Sequence, residues 1–463
     1  MMKTPLMVLA ASLAASTVAA QNVQGAPGQE PVITVDGVDF FDWQDYTHSS
    51  LFLSRNLRCG IADGEQLAAN APQLRAPSDC TFSSTTIVPE FDPANGIVLE
   101  IPVVWHILSN TSGTGNMPDQ RIFDQMDILN EDFRAMAGTP GAGGTDIRIE
   151  FYLADTDPSG NPTTGINRIT SNSGFADSGD YWTANSWDTT RYMNVYTNQA
   201  SGALGYVPDL PQGVAGAAND RVVCLYTAVG RNAPIGPPYN QGRTMTHEVG
   251  HYLGLYHTFQ SGCASGNCYT VGDRICDTNA ETSPRFGCPT GQQSCGNLDP
   301  ITNYMDYTDD TCMEQFTPEQ ANRMRCSLDG YRPDLARAQC ASLATTATRN
   351  AGANPNSLNA SMPFLGGLQT LSINTAPYDF ATVVIYAGSG NLTLAGGQVV
   401  LVDLGSPKYF QLSALAGPNA STRYTIPSDS AFCGVSYTMQ AVLFGGTTPY
   451  ALTNAVDQTI GTP

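Results

Sequence analysis

The sequence predicts an α/β domain, with a mixed sheet packed on helices, followed by a separate all-β, sandwich-like module. Between about residues 96 and 340, strand-like runs rich in β-branched residues alternate with stretches of helical periodicity. Residues 341–463 are rich in Ser, Thr, Ala, Gly and Asn, and short apolar runs there alternate with Gly/Pro turns. The 463 residues suffice for about three domains of roughly 100 to 200 residues each.

The expected elements follow from local patterns. In the α/β domain, helical spacing brings Ile122, Met126 and Leu129 together. In chain order, this domain is expected to contain a strand at 97–108, a helix at 118–135, strands at 147–154, 192–196 and 221–226, and a helix at 244–255. In the C-terminal module, the clearest strand-like runs are 381–386 and 398–403.

The charge balance excludes one large class of partners. The chain has 21 Lys and Arg against 41 Asp and Glu, which gives a formal net charge of −20. Binding to nucleic acid or to an anionic membrane requires a basic surface that this composition does not supply. Cationic ligands and divalent metals remain open.

Residues 1–20 resemble a signal peptide. Lys3 precedes an apolar, Ala-rich stretch, and Val18, Ala19 and Ala20 are the small residues that typically precede a cleavage site. The alternative is a membrane anchor, but the apolar run is shorter than the roughly 20 residues that cross a bilayer. We therefore expect a secreted protein without a transmembrane anchor. Residues 21–95, which are polar and lack sustained periodicity, are interpreted as a propeptide or leader region.

Three of the five histidines fall within eleven residues, in the string HEVGHYLGLYH. On a helix, His247 and His251 project from one face, Gly254 allows a sharp turn, and His257 can return toward them. Three neutral imidazoles leave a fourth position for water, which is the arrangement of a catalytic zinc site. Glu248 can take a proton from that water. The alternative, a helix whose histidines are only hydrogen-bonded, does not explain the whole pattern.

The same string matches the H-E-x-x-H-x-x-G-x-x-H signature of metzincins. A downstream Asn-Tyr-Met-Asp-Tyr segment at 303–307 matches the Met-turn that accompanies this signature. With its flanking segments, the sequence resembles the pappalysin family of metzincin zinc metalloproteases over about residues 96–335. The resemblance implies a metzincin catalytic domain with a mixed sheet and an active-site helix.

The resemblance also implies roles for individual residues. Glu248 matches the general base, Met305 the Met-turn residue beneath the metal, and Tyr307 a tyrosine that stabilises the oxyanion, although core packing is an equal alternative for Tyr307. The implied zinc ligands are His247, His251 and His257. A structural calcium site is implied in the next loop, and solvated loop carboxylates are the alternative. Its best candidate ligands are Asp273, Asp277 and Thr278.

The twelve cysteines are expected mainly in disulfides, because a secreted chain meets an oxidising environment. The resemblance implies two of the pairs and leaves Cys268 and Cys276 to each other. These three pairs are Cys263 with Cys295, Cys288 with Cys312, and Cys268 with Cys276. Four further cysteines could form two more disulfides. One possible pairing is Cys80 with Cys326 and Cys340 with Cys433. Cys224 lies in an apolar strand and is a candidate for a buried free thiol, although the sequence leaves its state open.

Cys59, in the string Arg-Cys-Gly, resembles a propeptide cysteine that fills the open position on zinc and keeps the precursor latent. Cleavage between Gly60 and about Asp92 would then release active enzyme. An ordinary structural cysteine is the alternative.

The segment around Gly205 and Tyr206 is the expected rim strand that binds a peptide substrate in extended form. Some family members select a basic residue just after the cleaved bond through an acidic residue directly before a cysteine. Here that position is Thr311, which makes the same selectivity doubtful.

Two functions follow from these observations. The first is a secreted, zinc-dependent endopeptidase that is made as a latent precursor and acts on peptides or proteins. The second is an extracellular binding protein, in which residues 341–463 bind a ligand and are the main functional unit. The domain boundaries expected for the first function are 1–20, 21–95, 96–340 and 341–463.

Overall fold

The computed structural model describes residues 26, 28–61, 91–95, 98–269, 271–338, 342–365, 367–427, 432–446 and 449–461. The expected signal peptide, most of the expected cleavage region, Cys80 and Cys340 lie outside these residues. Among the helices described, none combines the length and the apolar character that crossing a membrane requires.

The N-terminal segment has more regular structure than its lack of periodicity suggests. It contains a β-hairpin and two one-turn helices whose aromatic side chains join the main core, with Tyr46 and Phe52 fully buried. Short elements carry too few residues for a periodic signal, and tertiary packing stabilises them instead. The elements are β1 (Ile33–Val35), β2 (Val38–Phe40), α1 (Trp43–Thr47) and α2 (Ser50–Ser54).

The central unit is built on a mixed sheet with the strand order β4-β3-β6-β8-β7, while β5 and β9 also pair with β3. Its strands are β3 (Leu99–Ser109), β4 (Ile149–Leu153), β5 (Ile166–Thr170), β6 (Met193–Asn198), β7 (Gly205–Tyr206), β8 (Val222–Leu225) and β9 (Arg337–Ala338). The pairs of β3 with β4, β5 and β6 and of β6 with β8 are parallel. The short edge strand β7 runs antiparallel to β8. The mixed α/β fold predicted for this part of the chain is confirmed.

The helices of the central unit are α3 (Asp119–Phe133), α4 (Asn172–Phe175), α5 (Tyr181–Asn185), α6 (Pro211–Val214), α7 (Arg243–Tyr252) and α8 (Pro318–Tyr331). Two of the three longer helices, α3 and α7, pack against strands of this sheet, and the third, α8, packs against α6. Helix α7 ends three residues before the predicted end at Leu255, because Gly254 takes a φ of +99° that a helix cannot contain. Helix α8 was not predicted, although Thr317 and Gln320 form a capping box at its start.

Disulfides cross-link the loop between α7 and α8, a segment with little regular structure of its own. They join Cys263 to Cys295, Cys268 to Cys276 and Cys288 to Cys312. Cys326 and Cys433 each take part in a disulfide as well. Cys224, whose state the sequence left open, is a buried free thiol, and so is Cys59.

The regular structure described in residues 342–461 consists almost entirely of β-strands. A five-stranded sheet has the order β10-β19-β18-β13-β16, a three-stranded sheet the order β11-β12-β17, and β14 pairs with β15. One hydrophobic cluster combines side chains from the first two sheets, including Leu371 and Val383. The strands are β10 (Thr345–Arg349), β11 (Leu358–Ala360), β12 (Leu368–Asn374), β13 (Phe380–Tyr386), β14 (Ser389–Thr393), β15 (Val399–Val402), β16 (Lys408–Ala416), β17 (Asn419–Thr425), β18 (Ser436–Phe444) and β19 (Tyr450–Thr459).

A glycine sets the distance between α7 and the segment that contains Met305. A Cβ atom on Gly250 would lie 2.5 Å from the Met305 sulfur and 3.4 Å from the Phe316 ring. Met305 and Phe316 are themselves buried, so neither side chain has free space to enter. The absence of a side chain at position 250 therefore allows the helix to pack directly on Met305.

We expect Gly250→Ala to lower the melting temperature. Alanine favours a helix interior by about 1 kcal/mol over glycine, but overpacking a buried contact costs roughly 1–3 kcal/mol. Gly330→Ala is the control, because Gly330 is an exposed position in α8 and should show only the favourable term. Thermal unfolding followed by circular dichroism gives both values. A Gly250→Ala protein as stable as the Gly330→Ala protein would contradict this packing.

Candidate metal centre and active site

Helix α7 and the turn after it bring three imidazoles together. His247 and His251 are one helical turn apart, and the left-handed Gly254 then redirects the chain so that His257 returns to the same point. The Nε2 atoms of the three rings lie 3.0 to 3.2 Å from one another. The three histidines that the sequence pattern singled out thus lie in one cluster.

Hydrogen bonds from the Nδ1 atoms of His247 and His251 fix the tautomers of these two rings. The Nδ1 atom of His247 lies 2.7 Å from the Tyr304 carbonyl oxygen, and that of His251 lies 2.8 Å from the Leu255 carbonyl oxygen. A carbonyl only accepts, so each Nδ1 carries the proton and each Nε2 carries a lone pair. Lone pairs that converge at such short distances repel one another unless a cation lies between them. This donor set fits a zinc ion.

Burial keeps these rings neutral. It lowers the pKa of His251 to about 4 and holds the pKa values of His247 and His257 well below the usual value, with repulsion between the rings contributing to the latter two. Neutral imidazole is the form that ligates a metal. Among the residues that the structure describes, the only cluster of at least three His, Cys, Asp or Glu ligand atoms is formed by His247, His251, His257 and Cys59.

Glu248 extends from the same helix beside the imidazole cluster. It is fully buried, and its Oε1 atom has no hydrogen-bond partner. Burial raises its pKa to about 8. A buried carboxyl group with a raised pKa can exchange protons near neutral pH, as a general base and acid requires. Gly205 permits the close approach of the rim strand, because a Cβ there would lie 2.7 Å from the Glu248 Cγ.

The segment 303–307 lies on the other side of the imidazoles. Met305 is completely buried against α7, and its carbonyl oxygen accepts a hydrogen bond from the Thr258 amide at 3.3 Å. The ring of Tyr307 packs edge-on against His257 at 5.0 Å and lies 5.7 Å from the ring of His247. The segment thus supports the imidazoles and brings a phenol beside them.

The N-terminal segment enters the cleft and ends at this centre. The Cys59 sulfur and the three imidazole nitrogens all lie within 4.8 Å of one another. The Cys59 thiol also lies 3.4 Å from the Glu248 Oε2 atom, to which it can donate. Burial and the neighbouring Glu248 raise the pKa of the thiol, whereas a cation at the imidazoles would favour the thiolate.

Backbone contacts hold this segment along the rim strand. The Gly60 amide donates to the Gly205 carbonyl at 2.8 Å, and the Leu204 amide donates to the Leu57 carbonyl at 2.9 Å. A Cβ on Gly60 would lie 3.1 Å from the Ala203 Cβ, so glycine makes this close approach easier. The N-terminal segment therefore lies along the strand at which an extended peptide was expected to bind.

Arg58 fills a pocket that sequence reasoning did not identify. Its guanidinium is completely buried, donates to the Thr244 hydroxyl at 2.8 Å and pairs with the Asp310 carboxylate at 3.2 Å. It also lies 5.1 Å from the ring centroid of Tyr239. Thr311, the position at which an acidic pocket residue was sought, is exposed. The available signal was the combination of Arg58 beside Cys59 and an acidic residue close to the Met-turn.

The expected calcium ligands have protein partners. The Asp273 carboxylate accepts hydrogen bonds from the Thr278 hydroxyl at 2.5 Å and the Ile275 amide at 3.1 Å. Asp277 lies at the start of α8, where it accepts from the Thr317 hydroxyl and the Glu319 amide. The structure thus brings Asp273 and Thr278 together and gives Asp277 a capping contact.

Comparison with known proteins identifies relatives of the chain. Residues 177–329 match the family model described as pregnancy-associated plasma protein-A, the pappalysin family. An extracellular metalloprotease of Colletotrichum graminicola is 36% identical over 253 residues, which cover 52% of this chain and 80% of the relative. An extracellular metalloprotease of Verticillium alfalfae is 35% identical over 246 residues, covering 50% of this chain and 77% of the relative.

A solved structure is also similar. Tannerella forsythia mature mirolysin in complex with a cleaved peptide shares 35% identity, covers 52% of this chain and 98% of its own, and has a TM-score of 0.44. The sequence relatives share most of their own length with this chain. On this basis, the chain belongs to the pappalysin family of extracellular metalloproteases.

Proposed function

We propose that this protein is a zinc endopeptidase that is secreted as a latent precursor. The proposal rests on one observation: the Nε2 atoms of three buried imidazoles converge beside the Glu248 carboxylate, whose Oε1 atom has no hydrogen-bond partner. His247, His251 and His257 are the proposed zinc ligands. When bound, zinc supplies a Lewis acid that polarises the substrate carbonyl and increases the acidity of water.

The side chains around the metal site divide the remaining chemistry. Glu248 takes the proton from the attacking water and passes it to the leaving amine, so one carboxyl group acts first as base and then as acid. The Tyr307 phenol donates to the substrate oxygen as negative charge develops there. The backbone of Gly205 and Tyr206 holds the peptide in extended form. The Met305 side chain excludes water from the rear of the site.

The leader segment keeps the site closed in this proposal. Cys59 takes the position of the attacking water, while its neighbours Leu57 and Gly60 use the backbone groups of the rim strand. A thiolate is a strong zinc ligand, so it competes effectively with water for the open position. Proteolysis between Gly60 and about Asp92 would free the leader.

The buried Arg58 supports a substrate preference. Burying a guanidinium beside Thr244 is costly unless a carboxylate pairs with it, as Asp310 does. Once the leader has gone, Asp310 remains as an acidic group in an empty pocket next to the metal site. We infer that this pocket takes an Arg or Lys side chain of the substrate, immediately beside the cleaved bond. Asp310 thus acts as the acidic pocket residue that the family resemblance led us to seek at position 311.

The other parts of the chain have separate proposed roles. Residues 341–463 form a β-sandwich, as the hydrophobic core shared by its two main sheets supports, and bind an extracellular ligand. Calcium binding by Asp273, Asp277 and Thr278 stays a prediction. The alternative function, in which the C-terminal module does the main work, requires the metal site to be dispensable.

We expect Glu248→Ala to abolish peptide hydrolysis and to leave bound zinc unchanged. General acid–base catalysis is worth about 10²- to 10⁴-fold in rate, and Glu248 is not one of the proposed ligands. Glu314→Ala, at an exposed glutamate, is the control and should keep full activity. Peptidase assays and metal analysis of the processed proteins give the comparison. Hydrolysis by Glu248→Ala at the parental rate would refute the mechanism.

The full-length Cys59→Ala precursor should hydrolyse peptides before it is processed. Without the sulfur, water could reach the zinc that His247, His251 and His257 would hold. Cys224→Ala is a matched control, since Cys224 is also a buried free thiol but lies on strand β8. That variant should stay latent. If the Cys59→Ala precursor is as inert as its parent, Cys59 does not cause latency.

Asp310→Asn should remove a preference for basic residues beside the cleaved bond. Loss of the charge partner of a buried cation costs about 3–5 kcal/mol, so we expect kcat/KM for Arg-containing peptides to fall at least 100-fold. Peptides with an apolar residue at that position should be affected much less. The adjacent Asp309→Asn protein serves as control. Equal losses for both kinds of peptide would show that Asp310 does not select the substrate.

A further inference from the structure

One buried carboxylate, outside the proposed ligand set, contacts both segments that hold the metal site. Asp132 lies near the end of helix α3 and is 1% exposed. Its Oδ2 atom accepts a hydrogen bond from the Thr246 hydroxyl at 2.6 Å, and its Oδ1 atom accepts one from the Tyr304 hydroxyl at 2.9 Å. Thr246 directly precedes His247, and Tyr304 directly precedes Met305.

These contacts form a closed circuit with a proposed ligand. The Nδ1 atom of His247 donates to the Tyr304 carbonyl at 2.7 Å, and the Tyr304 hydroxyl donates to Asp132. From Asp132 the circuit returns through the Thr246 hydroxyl to the residue bonded to His247. A displacement of α7 relative to segment 303–307 therefore has to stretch at least one of these three hydrogen bonds.

The circuit is charged and enclosed. Arg243, in the first turn of α7, pairs with the Asp132 Oδ1 atom at 3.2 Å and is 2% exposed. Gly141 leaves room for the carboxylate, because a Cβ there would lie 2.9 Å from the Asp132 Oδ1 atom. Hydrogen bonds to a charged group are stronger than those between neutral groups and tolerate less displacement. Solvent therefore cannot replace either hydroxyl donor without opening the core.

We propose that Asp132 is a positioning residue for the metal site: it locks α7 to the Tyr304 segment and so fixes the direction in which His247 presents its Nε2 lone pair. Outer partners of metal-ligating histidines set ring orientation, and their loss typically reduces metal affinity about 10- to 100-fold. The structure assigns this task to a residue on a third element, 115 positions before the ligand (247 − 132). The inference rests on the proposed zinc site.

The test measures zinc release from the full-length protein into a chelator. We expect Asp132→Asn to release zinc at least tenfold faster than the parent and to change the visible spectrum of the cobalt-substituted protein. Tyr304→Phe removes one hydroxyl of the circuit and keeps the carbonyl acceptor of His247, so it should show a smaller change in the same direction. Because it deletes a single oxygen atom, this variant also provides the test if Asp132→Asn does not fold.

Asp220→Asn is the matched control for lost stability. Asp220 is also 1% exposed and paired with one arginine, Arg332, but it contacts neither Thr246 nor Tyr304. Asp220→Asn should lower the melting temperature and leave zinc release and the cobalt spectrum as in the parent. Unchanged zinc release in Asp132→Asn and Tyr304→Phe, or equal acceleration in Asp220→Asn, would overturn the inference. A parent protein that binds no zinc would instead refute the proposed function.

Discussion

The convergence of three buried imidazole Nε2 atoms is the constraint on which the rest of the structure depends. The Tyr304 and Leu255 carbonyls fix the tautomers of His247 and His251, so their Nε2 atoms cannot hydrogen-bond to each other. Burial then excludes the water that could relieve the repulsion. A cation between the rings would stabilise this arrangement, and the surrounding elements have to resist the separation of the rings until it is bound. Segment 303–307 supplies part of that resistance, because the Tyr304 carbonyl accepts from His247 and Met305 packs directly on α7.

The latent and active states would use the same groups in different ways. In the proposed precursor, Cys59 stands where water would stand, Arg58 where a substrate side chain would stand, and Gly60 where a substrate amide would stand. Each of these contacts has the chemistry of a contact with a bound substrate. A leader held by its own buried aromatic side chains, however, cannot leave the site as a product does. The buried pair of Arg58 and Asp310 makes the binding of the leader more specific. The free-energy cost of burying either charge is recovered only when the other charge is present.

The parts of the site that could be predicted from sequence are local ones. The spacing of His247, Glu248 and His251 is set by helical periodicity, and Gly254 explains how His257 returns. Long-range contacts have a much weaker signal: Arg58 and Asp310 are 252 residues apart, and only their positions beside Cys59 and near the Met-turn link the two segments. Asp132 was assigned only to a predicted helix, since its partners lie more than 100 positions away. Helix α8 could have been predicted from its capping box at Thr317, whereas the hairpin and short helices of the leader are stabilised by packing against the rest of the fold.

X-ray absorption at the zinc edge tests the central claim most directly, because it identifies the atoms bound to the metal before and after processing. For the full-length protein, the account predicts one zinc with three nitrogen neighbours at about 2.0–2.1 Å and one sulfur neighbour at about 2.3 Å. After removal of the leader, the sulfur should be replaced by oxygen while the three nitrogens remain. A zinc bound to several sulfur atoms, or a spectrum that does not change on processing, would contradict the account.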